Sequence, residues 1–200
     1  MGLFDSLKKA GEDLVKAGAA AGVTAAVNKA ASAINGTNKR EKFVFTALPH
    51  SVEELAALPE ADLSTPFKTA ALTVAVLCNW GDSPERTCEM LDFLKGPRPL
   101  STYEKQFLRD RLGGKEYKPF SFFAGSSPKN DYTPTRPYEI TVYAYAYSYN
   151  AEGYCTLQAD SSGADSPRQI KLRSKGDKWY LWEQFLLSDI RTPAKDDPWA

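Results

Sequence analysis

The sequence predicts an α+β fold, with helices packed on one face of a twisted antiparallel sheet and an N-terminal helical appendage. Three observations predict it. Residues 51 to 114 carry a succession of helix caps and stops, the C-terminal part from Tyr138 carries period-two apolar patterns separated by turn residues, and the 200-residue length suits one domain with an extension. We place the appendage at residues 1–38 and a single domain at 39–200.

Residues 1–35 are rich in Ala, Leu and Lys and end at Asn35-Gly36-Thr37-Asn38, a helix followed by a linker. At about 100° per residue, Leu3, Leu7 and Leu14 share a face flanked by Phe4, and the apolar stripe changes face near Gly18 and Gly22. Small residues spaced four apart, Gly18, Gly22, Ala26 and Ala30, would let two helices approach closely, which suits a protein partner or self-association. The alternative is a membrane surface, with Leu3, Phe4, Leu7 and Leu14 as the buried face and Lys8, Lys9 and Lys16 beside it; Met1-Gly2 through Ser6 also matches the myristoylation pattern. Protein contact is the preferred reading.

Phe43 and Phe45 alternate with Val44 and Thr46 in a short strand over Lys42–Leu48. Ser51 with Glu54 opens a short helix stopped by Pro59. Thr65-Pro66 opens a second, apolar nearly all round from Ala70 to Leu77 and therefore central and buried, closed by Gly81. Ser83-Pro84 opens a third, with Thr87, Met90, Leu91 and Leu94 inward and Gly96 as its stop. Ser101 with Glu104 caps a fourth, with Tyr103, Phe107, Leu108 and Leu112 inward. Residues 115–137 hold four prolines and five aromatic residues; a loop this aromatic is either partly strand or folded over the body. A meander then follows over 138–150, 153–160, 168–174 and 178–185.

The first meander strand, read as Tyr138–Asn150, places Ile140, Val142, Ala144 and Ala146 on one face and Tyr143, Tyr145, Tyr147 and Tyr149 on the other. If the strands pair in order, Tyr143, Tyr145 and Tyr147 lie near Tyr154, Lys171 and Arg173, with Tyr180 and Trp182 joining them. Rings interleaved with cations can hold a planar or anionic small molecule; the competing reading covers this face with the C-terminal tail or the aromatic loop.

Composition narrows the rest. Lysines plus arginines equal aspartates plus glutamates, 25 each, so no net field concentrates nucleic acid. Three cysteines without a CxxC pair argue against a disulfide framework or structural zinc, and the absence of a long apolar run or secretory segment leaves the cytoplasm as the expected location. Cys78 and Cys88 could approach each other if the helices around Gly81 form a hairpin. His50, the single histidine, excludes a multi-histidine metal site, and GxSxG, GxGxxG and phosphate-loop patterns are all missing. Glu85 and Glu89, one turn apart, read as a solvated face. No catalytic residue, metal or cofactor is expected, and the reading is a non-catalytic interaction protein or binding module.

The run Lys175-Gly176-Asp177-Lys178-Trp179-Tyr180-Leu181-Trp182-Glu183, followed by Leu186 to Pro193, resembles the closing strands of nuclear-transport-factor-like cone folds, over about the last 60 residues. That resemblance implies that one concave sheet face forms a pocket. The whole chain is similar to uncharacterised bacterial families of unknown function.

Overall fold

A computed structural model describes residues 39–199. The predicted appendage, with Leu3, Phe4, Leu7, Leu14, Gly18 and Gly22, lies outside the described residues. Five strands, β1 (Arg40–Phe45), β2 (Tyr138–Tyr143), β3 (Tyr154–Ala159), β4 (Arg168–Lys175) and β5 (Lys178–Gln184), pair antiparallel in sequence order. Four helices, α1 (Val52–Ala56), α2 (Pro66–Leu77), α3 (Pro84–Lys95) and α4 (Thr102–Leu112), separate β1 from the meander.

α2 organises the core. Thr65 accepts from the Lys68 amide and Pro66 occupies the first turn, so the helix starts as its sequence demands. Every residue from Pro66 to Leu77 except Lys68 is buried. The sheet curls round this helix, which touches all five strands. Phe43 and Phe45, Ile140 and Val142, Cys155, Leu157 and Ala159, Ile170 and Leu172, and Leu181 supply the inner face. Each buried Leu, Ile or Phe contributes about 1.5–3 kcal/mol, so packing of this face on α2 is a large part of the stability. Buried threonines in α2 are satisfied: Thr69 Oγ1 donates to the Trp179 carbonyl at 2.6 Å and Thr73 Oγ1 to the Thr69 carbonyl at 2.7 Å.

Several expectations need correction. The strand starting at Tyr138 stops at Tyr143, not Asn150. Past Ala144 the Ser148 hydroxyl accepts from the Tyr145 amide at 2.9 Å, and this local bond replaces the ladder with a turn. Ala146 is therefore exposed, and the four-tyrosine alternation does not exist. In α4 only Leu108 and Leu112 are buried, while Tyr103 is 80% exposed and Phe107 half-buried, because Phe185 and Trp182 border that flank without closing it. α2 itself stops at Leu77 and tightens into a 3₁₀ turn over Cys78–Gly81, so the helical run closes at Gly81 as expected.

The aromatic loop contains no strand. Short 3₁₀ turns at Pro119–Phe122 and Pro128–Asn130 fold it onto the body, burying Phe122, Phe123 and Tyr132. Tyr132 stacks on Tyr117 at 5.2 Å and donates to the Arg191 carbonyl at 2.7 Å. Ser121 and Ser161 hydroxyls meet at 2.7 Å, tying the loop to the β3–β4 connection.

Two devices shape the β4–β5 hairpin. Gly176, at φ +62°, takes the first central position of the two-residue turn between Lys175 and Lys178. Further along, Lys171 pairs with Glu183 but Leu172 pairs with Leu181, so Trp182 is an extra residue. Strict alternation from the buried Leu181 would turn Glu183 into the core. The bulge instead returns Glu183 to the face of Lys171. The outer edge of β5 is also capped: Trp179 donates its amide to the Leu63 carbonyl at 2.8 Å, and Lys95 Nζ reaches the Trp182 carbonyl at 3.2 Å.

Candidate functional site

The bulge, the hairpin and the loop after α3 converge on Trp182. α3 ends at Gly96, whose φ of +57° suits glycine, and whose missing Cβ would come within 2.3 Å of the Tyr180 ring. The chain thus runs close against Tyr180. Pro97 and Pro99 restrict the backbone on either side of Arg98, and the Leu100 amide donates to Asp92 Oδ1 at 2.6 Å, fixing the entry to α4. This loop places the Arg98 guanidinium 4.3 Å from the Trp182 ring centroid.

From β4, Arg173 lies 4.7 Å from the same ring and 5.3 Å from the Tyr154 ring. Lys171 stands 5.2 Å over Tyr154, and Tyr154 meets Trp182 edge-to-face at 5.6 Å. Among the described residues no carboxylate forms an ion pair with Arg98, Arg173 or Lys175. These cations, with Tyr180 and Trp182, line a groove of about 370 Å³.

Lys95 forms the floor. Its side chain is only 2% exposed and donates to Glu104 Oε1 at 2.8 Å as well as to the Trp182 carbonyl. Glu104 also completes the predicted capping box, accepting from the Ser101 amide and hydroxyl at 2.8 and 2.7 Å. Burial would raise the Glu104 carboxyl, but hydrogen bonds from Lys95 and Ser101 outweigh it and hold the group at about 2. The ion pair therefore persists throughout the physiological range and pins α3, α4 and the bulge together.

The structure groups the expected residues only in part. Lys171, Arg173, Tyr180 and Trp182 surround the groove or its rim. Tyr143, Tyr145 and Tyr147 form a separate cluster: Tyr143 meets Tyr145 edge-to-face at 5.5 Å, and Tyr145 stacks on Tyr147 at 5.3 Å. Tyr143 pairs with Gln158 whereas Tyr154 pairs with Arg173, four residues further along β3, so about 13 Å of strand separates the clusters. Tyr143 is 2% exposed; burial and its bond to Asp160, at 2.5 Å, push its hydroxyl well up. Arg40 covers it at 4.6 Å. Tyr149 leaves the tyrosine face altogether and packs against Trp179.

Sequence reasoning missed Lys95 and Arg98. The Pro97-Arg98-Pro99 run was the available signal for a fixed cation, but its nearness to Trp182 depends on Gly96 and the bulge.

Elsewhere, His50 donates from Nδ1 to Asn79 Oδ1 at 2.9 Å and lies 3.3 Å from Asp82. His50, Asn79, Asp82 and Cys78 line a cleft of about 260 Å³, and burial pushes the Cys78 thiol well above its ordinary value, which disfavours the thiolate. Cys78, Cys88 and Cys155 are free thiols, and Cys88 lines a different cleft, with Glu85 and Glu89. Among the described residues no group of three or more His, Cys, Asp or Glu side chains could hold a metal ion, and no helix is long and apolar enough to cross a membrane.

The profile of a family described as "Domain of unknown function (DUF6935)" matches residues 47–194. The chain belongs to this family. The match takes in all four helices, β2 to β5 and every residue of the Trp182 groove, and leaves β1 outside. No curated protein and no solved structure matches the chain significantly.

Proposed function

We propose that this DUF6935 domain is a non-catalytic binding module of a cytoplasmic protein and takes an anionic ligand at the Trp182 groove. The carrying observation is the placement of two guanidiniums, Arg98 and Arg173, on one indole with no carboxylate partner among the described residues. Like charges gathered on one ring repel, and an anion between them offsets that repulsion while stacking on Trp182. A groove of about 370 Å³ falls within the range of small-molecule pockets. Its position on rigid elements, two strands and a proline-bounded loop, suits recognition. The uncombined thiols support a cytoplasmic setting.

Calorimetric titration of the full chain with 2-naphthoate tests this reading. Arg98→Ala with Arg173→Ala should weaken binding at least about tenfold, roughly 1.4 kcal/mol or more. Equal affinity in the double variant, or no heat at millimolar naphthoate, would overturn it.

Residues 1–38 have a separate proposed role in assembly or partner contact, which rests on the Gly18, Gly22, Ala26 and Ala30 spacing. Light scattering of the full chain beside a chain starting at Lys39 tests it: a full-length oligomer and a folded monomeric truncation are expected. If both are monomers, self-association fails, and flotation with anionic vesicles then decides membrane-surface attachment.

A further inference from the structure

The Trp182 groove does not end at its cations. A second cavity of about 390 Å³ adjoins it and shares Lys95, Arg98, Leu181 and Trp182 with it. The walls of the second cavity differ in character. Tyr103 and Phe107, about one helical turn apart on α4, face it from one side, Phe185 from the other, and Leu100 closes the end beside Arg98. Tyr103 is 80% and Phe185 49% exposed, two large apolar side chains that the described residues leave uncovered around one hollow.

Both carboxylates of this second arm have cationic partners. Glu104 is bound to Lys95 at 2.8 Å, and Glu183 lies 3.8 Å from Lys171. Of the cations without a carboxylate partner among the described residues, Arg173 and Lys175 line the first arm alone, and Arg98 stands with Trp182 where the two arms meet. The continuous groove is thus cationic at one end and apolar at the other, with Trp182 at the join.

We infer that the ligand is an amphipathic anion, with a carboxylate or phosphate head held by Arg98 and Arg173 and an apolar tail lying against Tyr103, Phe107 and Phe185. This deepens the binding role proposed above and rests on it. A small inorganic anion would leave the aromatic arm unused. A neutral apolar ligand would leave the guanidiniums unpaired. One molecule carrying both parts meets both ends of the groove.

Calorimetric titration of the full chain with decanoate, decyl phosphate, butyrate, inorganic phosphate and decyl glucoside, each below its micelle concentration, tests the inference. Decanoate or decyl phosphate should bind at least about tenfold tighter than its short or inorganic counterpart, from burial of the added methylenes, and tighter than the uncharged glucoside. The tighter of the two decyl anions identifies the head group. The double variant Tyr103→Ser, Phe185→Ser alters exposed side chains. It should weaken decanoate about tenfold, leaving 2-naphthoate binding, and its dependence on Arg98 and Arg173, in place. Equal binding of decanoate and butyrate, with naphthoate still sensitive to the arginines, overturns the amphiphile and keeps the anion site. Displacement of decanoate by polyglutamate at a comparable charge concentration would assign the groove to an acidic protein segment instead and also overturns it. If none of the anions, naphthoate included, binds, the binding role itself fails.

Discussion

Replacing Glu104 with glutamine removes one charge from beneath the groove while keeping the amide oxygen that accepts from Ser101. The Lys95 ammonium, 2% exposed, then retains only the Trp182 carbonyl as a partner. Breaking a buried pair by deleting one charge costs about 3–5 kcal/mol, and the partial exposure of Glu104, 26%, brings the expectation down to about 2–3 kcal/mol. Linkage gives a similar figure. A carboxyl lowered from 4.5 to about 2 contributes at most roughly 3 kcal/mol at neutral pH. Because the folded value is the lower one, that stability is complete above pH 4.5 and is lost as pH falls towards 2. Lys95→Met should cost only about 1 kcal/mol, since Glu104 keeps its bonds to Ser101 and part of its hydration. The double variant should then lie closer to wild type than Glu104→Gln alone, a coupling of about 2 kcal/mol. Urea unfolding of all four proteins at pH 7, repeated at pH 5, 4 and 3, measures these differences. A Glu104→Gln loss below about 0.5 kcal/mol, with an acid limb unchanged from wild type, would refute the role given to this ion pair.

Gly96→Ala should lose about 2 kcal/mol or more in thermal unfolding, from the positive φ and the encounter with Tyr180; pairing it with Tyr180→Ala should recover only the steric part. Wild-type stability in Gly96→Ala would show that the Arg98 loop is not held as described. Burial pushes all three thiols up, Cys155 to about 12, but only Cys88 is half-buried rather than buried, so it alone should react with a disulfide reagent at pH 8 in the native protein. Rapid labelling of all three without denaturant would contradict the burial. Tyr147→Ala should change stability by less than about 1 kcal/mol, whereas Tyr143→Ala should cost about 3 kcal/mol or more, as emptying a buried aromatic site does. Equal effects would restore the single exposed tyrosine face.

The helices were legible because each boundary is written in local chemistry: Ser51, Thr65, Ser83 and Ser101 all accept from the amide three residues on, and Gly96 stops α3. The inner sheet face was legible for a similar reason, since Phe43, Ile140, Leu157 and Leu172 follow a period of two. What failed was the continuation of that period. Ser148 ends β2 by a side-chain bond that competes with the ladder, and the bulge at Trp182 shifts β5 by one residue. Both depend on geometry beyond local spacing. Part of the candidate site was therefore visible, as Lys171, Arg173, Tyr180 and Trp182, and part was not. Lys95 carries no local signal that sets it apart in the last turn of α3, and only the packing of β5 against α3 and α4 makes it a buried partner. The helix spacing of Tyr103 and Phe107 predicts core, yet nothing among the described residues covers them fully.

The most direct test of the binding groove is the indole region of a ¹H–¹⁵N spectrum, in which the signals of the four tryptophans are assigned through single Trp→Phe variants. On titration with decyl phosphate, the Trp182 signal should shift saturably while those of Trp80 and Trp199 stay in place, and Arg98→Ala with Arg173→Ala should abolish the shift. A Trp182 signal that does not move, or four signals that drift together without saturation, would contradict a binding site at this groove.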